Sequence, residues 1–284
     1  MKKRLFVFIS LIFTIGYISK FSYAATVGNS LDLDVPGRSA FLRQEVIEGT
    51  LDEYEQVVKI KASFDAEFVF DKDLNTTKEL QGAELKGQWY TGKLGLTLFN
   101  RVEPYVKIGT SNLETKWKHG SQEIEVDADY GFAWGGGVKA NIWEFENLGI
   151  RLTGDAQYRT TEPDTEEITV NGTSVIDQGA TFNVDEWQAG LFASKKFEIP
   201  LKLQSIYAVP YTGVVYSDSN VDVSFKDPDA PGTDFSLFDA NNKKVYGFVL
   251  GCDIIPSLSS SFIYSLELRL VDEIALSLGG TVKF

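Results

Sequence analysis

Apolar and polar residues alternate along most of this chain. In VVKIKASFDAEFVFDKD, Val58, Ile60, Ala62, Phe64, Ala66, Phe68 and Phe70 fall on one face, and Lys59, Lys61, Ser63, Asp65, Glu67 and Asp71 on the other. A period of two marks a strand with one apolar and one polar face. The pattern returns around Ala128–Ile142, Ile150–Tyr158, Trp187–Phe197, Tyr246–Ile254 and Phe262–Leu270, and in the final stretch from Ile274 to Phe284. Three further segments are less regular. Residues 82–99 change phase near Thr91–Gly92, which predicts a bulge there. Residues 104–115 are poor in apolar positions beyond Val106 and Ile108, and 201–216 carry Ile206 and Pro210 on the presumed inner face. The total is about ten strands, an even number.

The connections alternate in kind. NRVEP, EFENL, EIP and PSLSS are short. The stretches 72–80, 114–122, 160–181 and 217–242 are read as longer loops, the last two much longer. Only the final hairpin, at Val271–Glu273, has a tight turn on the long-loop side. Aromatic residues gather at both ends of the apolar faces: Phe70, Tyr130, Tyr158, Trp187 and Tyr246 toward the long loops, and Trp143, Phe197, Phe262 and Phe284 toward the short turns. Trp134 falls between the two groups. Strands turning an apolar face outward between two aromatic belts predict an all-β fold: a transmembrane, up-and-down antiparallel β-barrel of about ten strands. The rival is a soluble ten-stranded lipid-binding barrel with the apolar faces inward, but its lumen would be overfilled.

The N-terminus adds a compartment. Lys2, Lys3 and Arg4 precede an apolar run from Leu5 to about Ile18, and Ser22 and Ala24 supply the small residues before a cut. This predicts a secretory signal peptide over 1–24, cleaved before Ala25. The net charge of −13 becomes −17 once the four cations of that segment are removed. Such an acidic surface argues against nucleic acid as a partner. The single cysteine, Cys252, excludes an intramolecular disulfide and reads as a small membrane-facing residue.

The ending then carries a resemblance. Ser277, Gly279, Val282 and Phe284 match the terminal signature of bacterial outer-membrane β-barrel proteins, with Val282 apolar rather than aromatic. The chain from about residue 57 to Phe284 resembles that class. The resemblance implies insertion into the outer membrane by the barrel-assembly machinery, with outer-membrane lipid and lipopolysaccharide as surroundings. It implies no substrate, because unrelated functions share the scaffold.

Turned inward, the polar faces predict a lumen lined by Lys59, Lys61, Asp65, Glu67, Asp127, Asp129, Lys139, Arg151, Asp155, Arg159, Glu186, Lys196, Asp253, Glu267 and Arg269. The two signs are close to balanced. Two readings follow: a narrow channel for ions or small solutes, or a closed structural or surface-interaction barrel acting through acidic extracellular loops. Asp218, Asn220 and Asp222 are spaced as a weak calcium candidate. The single histidine, His119, lies in a loop with Ser121 nearby, and no enzyme activity or cofactor is expected. Residues 25–56 form a periplasmic arm, read either as a leader or as a short helical cap on the barrel 57–284.

Overall fold

The computed structural model describes residues 58–76, 80–99, 101–145, 147–175, 180–201, 205–226, 234–257 and 260–284. The signal peptide and the 25–56 arm lie outside the described residues. Fifteen strands follow in chain order: β1 (Val58–Asn75), β2 (Leu80–Leu98), β3 (Val102–His119), β4 (Gln122–Ala128), β5 (Gly131–Phe145), β6 (Ile150–Thr161), β7 (Thr165–Val170), β8 (Thr173–Val175), β9 (Ala180–Lys195), β10 (Phe197–Pro200), β11 (Ser205–Lys226), β12 (Asp234–Asn242), β13 (Tyr246–Ile255), β14 (Phe262–Leu270) and β15 (Ile274–Lys283).

Ten of them make a closed antiparallel wall, in the order β1, β2, β3, β5, β6, β9, β11, β13, β14, β15. The wall closes where β15 pairs with β1, from Lys61 opposite Lys283 to Asp71 opposite Ile274. Phe284 adds a last bond, its backbone N–H donating to the Ile60 carbonyl at 3.0 Å. No edge is left along this seam, whose pairing is interrupted only by an irregularity between Val69 and Asp71.

The outer face explains the alternation. Phe64, Phe132, Trp187, Tyr246 and Tyr264 are all more than half exposed. In β5 the apolar outer positions run from Phe132 to Ile142. That is roughly 33 Å of strand, which at the usual tilt spans one hydrocarbon layer. The aromatic rows bound this band. Tyr158 lies against Trp187, centroids 4.8 Å apart, and Tyr216 against Tyr246 at 5.6 Å. Trp134 meets Tyr158 edge to face at 5.9 Å. It therefore extends the upper row and does not stand between the rows.

The stretches read as long extracellular loops are largely strand. β11 continues to Lys226 and returns as β12, with Asp222 opposite Asp239 and Asn220 opposite Asn241. β4 and β7 pair with each other and carry β5 and β6 upward. The tight β14–β15 turn stops well below this level. Above it β12 reaches across to β1, pairing Asn242 with Leu74 and Asn241 with Asn75. Among the described residues the wall thus passes from ten strands in the membrane to eight above it: β1, β2, β3, β4, β7, β9, β11 and β12. The β7–β9 junction is a single bridge between Asp164 and Thr181.

Two details of phase differ from the sequence reading. Pairing runs without interruption through Thr91 and Gly92, so no bulge lies there. The extra residue is in β1, between Val69 and Lys72, opposite Gly87–Leu85. It turns Phe70 and Asp71 both outward and sends Lys72 inside. In β11 the inward residues are odd-numbered, including Val209 and Tyr211, so Ile206 and Pro210 sit on the outer face.

Candidate functional site

At membrane level the interior is ionic. Seven Lys or Arg and nine carboxylate side chains are buried among the described residues, which leaves the interior close to neutral. A central group joins charges from four strands, β1, β6, β9 and β14, and from the β14–β15 turn. Glu186 accepts from Lys72 Nζ at 3.0 Å and from Arg159 at 3.0 Å, and Arg159 also binds Glu67 at 2.6 Å. Arg269 pairs with Asp272 and, at 3.1 Å, with Glu273, which also meets Lys72 at 3.0 Å. The Arg159 guanidinium lies 4.2 Å from the Trp89 ring centroid. Charges removed from water at this level hold only because each faces an opposite charge.

A second group lies nearer the short-turn rim of the wall. Lys61 donates to Glu103 at 2.8 Å, and Thr97 donates to the same carboxylate at 2.9 Å. The Tyr105 hydroxyl donates to Asp155 at 3.0 Å, and the ammonium groups of Lys93, Lys107 and Lys139 surround its ring. Tyr211 donates to Glu267 at 2.7 Å. The tyrosines fit because glycine faces them. A Cβ on Gly251 would overlap the Tyr211 ring, and one on Gly247 would overlap the Asp272 carboxylate. A cavity of about 10 Å³ beside Glu67, Lys107 and Arg159 has room for roughly one water.

Above the membrane the interior changes character. Val69, Leu74, Leu85, Trp89, Leu113, Trp117, Val126, Phe182, Val221, Val223 and Phe238 form one continuous buried apolar cluster. Trp117 from β3 stacks on Phe238 from β12 across the interior, centroids 4.4 Å apart and planes 26° apart, each 1 % exposed. Full burial of such side chains stabilises by about 1.5–3 kcal/mol apiece.

Of the residues the sequence suggested for the lumen, Lys61, Asp65, Glu67, Lys139, Asp155, Arg159, Glu186, Asp253, Glu267 and Arg269 are buried inside the wall. Lys59, Arg151 and Lys196 are only half-buried, at its short-turn end. Arg151 pairs there with Glu144, and Lys196 lies over the Tyr207 ring at 4.6 Å. Asp127 and Asp129 are outside. The chain breaks strand phase at Asp129–Tyr130, so in β4 Val126 and Ala128 point inward while Asp127 does not. Asp71 is outside for the same kind of reason, its bulge. The sequence reading missed Lys72, Lys93, Glu103, Tyr105, Asp272 and Tyr211. Counting two residues at a time from Lys61 puts Lys72 on the wrong face, and Glu103 and Asp272 looked like turn residues.

Asp218, Asn220 and Asp222 lie on β11 and not in a loop. They alternate along its outer face, so their side chains follow one another in steps of about 7 Å. The carboxylates that do converge are Glu114, Glu125 and Asp127, whose oxygens lie within 4.8 Å of one another on the outer face of β3–β4. Partial burial and the neighbouring Glu125 raise the Glu114 pKa above the ordinary value. Lys116 binds Glu123 at 2.5 Å beside them. His119 is exposed at the tip of the β3–β4 hairpin, paired through its backbone with Gln122. At the C-terminus Ser277 is buried in the interior, Gly279 faces Asp65, and Phe284 is 76 % exposed.

A closed antiparallel wall with an apolar outer band, two aromatic rows and an ionic interior is the architecture of a transmembrane β-barrel. The chain is similar to the translocator domain of the autotransporter NalP from Neisseria meningitidis, at 10% identity and TM-score 0.39, over 80% of this chain and 88% of that one. It is similar to the outer membrane protein OprG from Pseudomonas aeruginosa, at 12% identity and TM-score 0.35, over 80% and 96%. The outer membrane protease OmpT from Escherichia coli aligns at 8% identity and TM-score 0.38, over 80% and 93%. No protein-family model and no curated sequence matches the chain. The likeness is one of fold alone.

Proposed function

We propose that this protein is a closed, non-enzymatic outer-membrane barrel that acts through its extracellular sheet and does not conduct solutes. One observation carries this reading: the apolar cluster around Trp117 and Phe238 fills the eight-stranded part of the wall, directly above the ion-paired interior. A permeating ion would have to shed its water to cross that layer. The ionic interior is then the inner lining that any membrane-spanning strand of period two acquires, held together by mutual pairing.

The test is conductance. Folded protein in planar bilayers is expected to be silent, and removal of residues 25–50 is expected to leave it silent. The double variant Trp117→Ala, Phe238→Ala is expected to open small, weakly selective steps if the layer is the barrier. Steady conductance by the unaltered protein would overturn the proposal and favour the narrow-channel reading.

A further inference from the structure

The chain as a whole is acidic, yet the short-turn rim of the wall is basic. Lys59, Arg101, Arg151, Lys196 and Lys283 stand there half-buried, and Lys195 is exposed on the outer face. Against them, among the described residues, stand Glu144, Glu198 and the carboxylate of Phe284, since Glu103 is engaged by Lys61. Parity turns these cations toward the mouth and away from lipid. Lys59 shares the inner face with the buried Lys61, Arg151 with Thr153, and Lys283 with Ser277. Across the β1–β15 seam Lys283 is directly opposite Lys61, a like-charge pairing that a further carboxylate relieves.

A second observation lies one level further in. Asn141 Oδ1, Thr153 Oγ1 and Ser194 Oγ are buried without a hydrogen-bond partner. Asn141 is opposite Thr153, and Ser194 is opposite Arg151, so the three share one patch of the inner wall beside the rim. Buried polar groups normally find partners. Two of these three are hydroxyls, which can donate to a carboxylate.

We infer that segment 25–56 of this chain docks in the short-turn mouth, with its carboxylates on the rim cations. The segment has seven carboxylates against two arginines, a net charge of −5, and five of the seven fall between Glu45 and Glu55. Charge, not helical pattern, carries the choice between leader and cap. Position supports it. The segment joins the wall at Val58, the first residue of β1, on the rim itself. Glu55 and Asp52 lie three and six residues before Val58, a reach of up to roughly 10 and 20 Å. Ten strands about 4.8 Å apart, tilted by about 40°, enclose a mouth roughly 20 Å across. The acidic run therefore spans the mouth, at the high effective concentration that a short tether confers. An anionic lipid has no tether and meets the outer face, where Lys195 stands. The inference is independent of the closed reading above, whose barrier lies at the far end of the interior.

The test is trypsin cleavage after Arg43, read by mass spectrometry on the folded protein in neutral detergent. A synthetic peptide of residues 30–56 gives the unprotected rate. At low salt the protein should be cut about tenfold more slowly than the peptide. The protection should vanish at about 1 M salt, where the Debye length falls to about 3 Å. The variant Asp52→Asn, Glu53→Gln, Glu55→Gln leaves the wall untouched and should lose most of the protection. Lys59→Gln with Lys196→Gln should lose it in the same way, with gel heat-modifiability unchanged, while Lys195→Gln should keep it. Protection that survives both sets of neutralising substitutions, or an unaltered protein cut as fast as the peptide, would overturn the inference. Protection that appears only when anionic lipid is added would assign the rim to lipid phosphate and overturn it as well.

Discussion

The membrane-level interior and the interior above it share the long strands β1, β2, β3, β9 and β11, yet one is filled with ion pairs and the other with Trp, Phe, Leu and Val. The difference follows from what lies outside. Where the outer face meets lipid it must be apolar, and a period of two then delivers polar side chains to the interior. Where the outer face meets water the constraint reverses, and the interior becomes an ordinary apolar core. The wall makes this reversal in two ways. β3 keeps its phase and changes its residues: inward Glu103, Tyr105 and Lys107 give way to Leu113 and Trp117. β1 and the β4–β5 pair change phase instead, at a bulge and at a break.

The sharpest way to break the contrast is to put a charge into the upper core. Trp117→Asp leaves a carboxylate with no cation in an apolar layer. Its cost is expected to exceed the ~3–5 kcal/mol of a Trp-to-Ala truncation. Limited proteolysis should then cut within residues 113–128, while the membrane-level wall still migrates as a folded, heat-modifiable species. If the whole wall unfolds in step, the two levels are one cooperative unit.

The converse change is smaller. Glu186→Leu takes one of two carboxylate partners from both Lys72 and Arg159, which keep Glu273 and Glu67, so the cost is expected to fall below the ~3–5 kcal/mol of a fully stranded buried charge. Urea unfolding in detergent, followed by tryptophan fluorescence, should report that loss. Replacing Glu67, Arg159 and Glu186 together by Gln, Met and Leu should recover most of it, because Lys72 keeps Glu273. Failure to recover would mean that the ionic interior stabilises the fold rather than merely completing it.

The smallest effect tests the outer face of the upper level. The Glu114 pKa is raised in the folded protein by partial burial and by Glu125, while in the unfolded chain it returns to 4.5. The folded form therefore holds its proton to higher pH. The stability associated with that proton is present at low pH and is lost as pH rises through the folded value. Acidifying from pH 7 toward 5 should protect the β3–β4 hairpin against amide exchange. Glu114→Gln should give the protection at pH 7 and flatten the dependence.

Much of this was legible in the chain and some was not. The strand type, the even count and the outward apolar band followed from Phe64, Val138, Leu191 and Phe248 alone, because lipid contact enforces strict alternation. The reversal above the membrane was not legible. Val221, Val223 and Phe238 fell within 217–242, which was read as a loop, since a reading fixed on lipid-facing strands has no place for an apolar interior. Asp71, Asp127 and Asp129 were assigned inward because parity was carried through the bulge and the break. Neither irregularity has a mark such as a glycine at the extra residue. Which strands stand side by side is a long-range property, so the reach of β12 to β1, which pairs Asn242 with Leu74, is invisible until the registers are known.

The early end of the β14–β15 hairpin has one more consequence. In a cylinder of constant strand number, a strand can slide against its neighbour by two residues and meet an equivalent partner. Here the lattice of strands contains a dislocation: β1 reads β15 below it and β12 above it. Sliding β1 along β15 would carry Leu74 and Asn75 away from Asn242 and Asn241 and drag Lys72 off Glu273. The fault in the lattice thus works as a vernier, admitting one alignment of the first strand with the last.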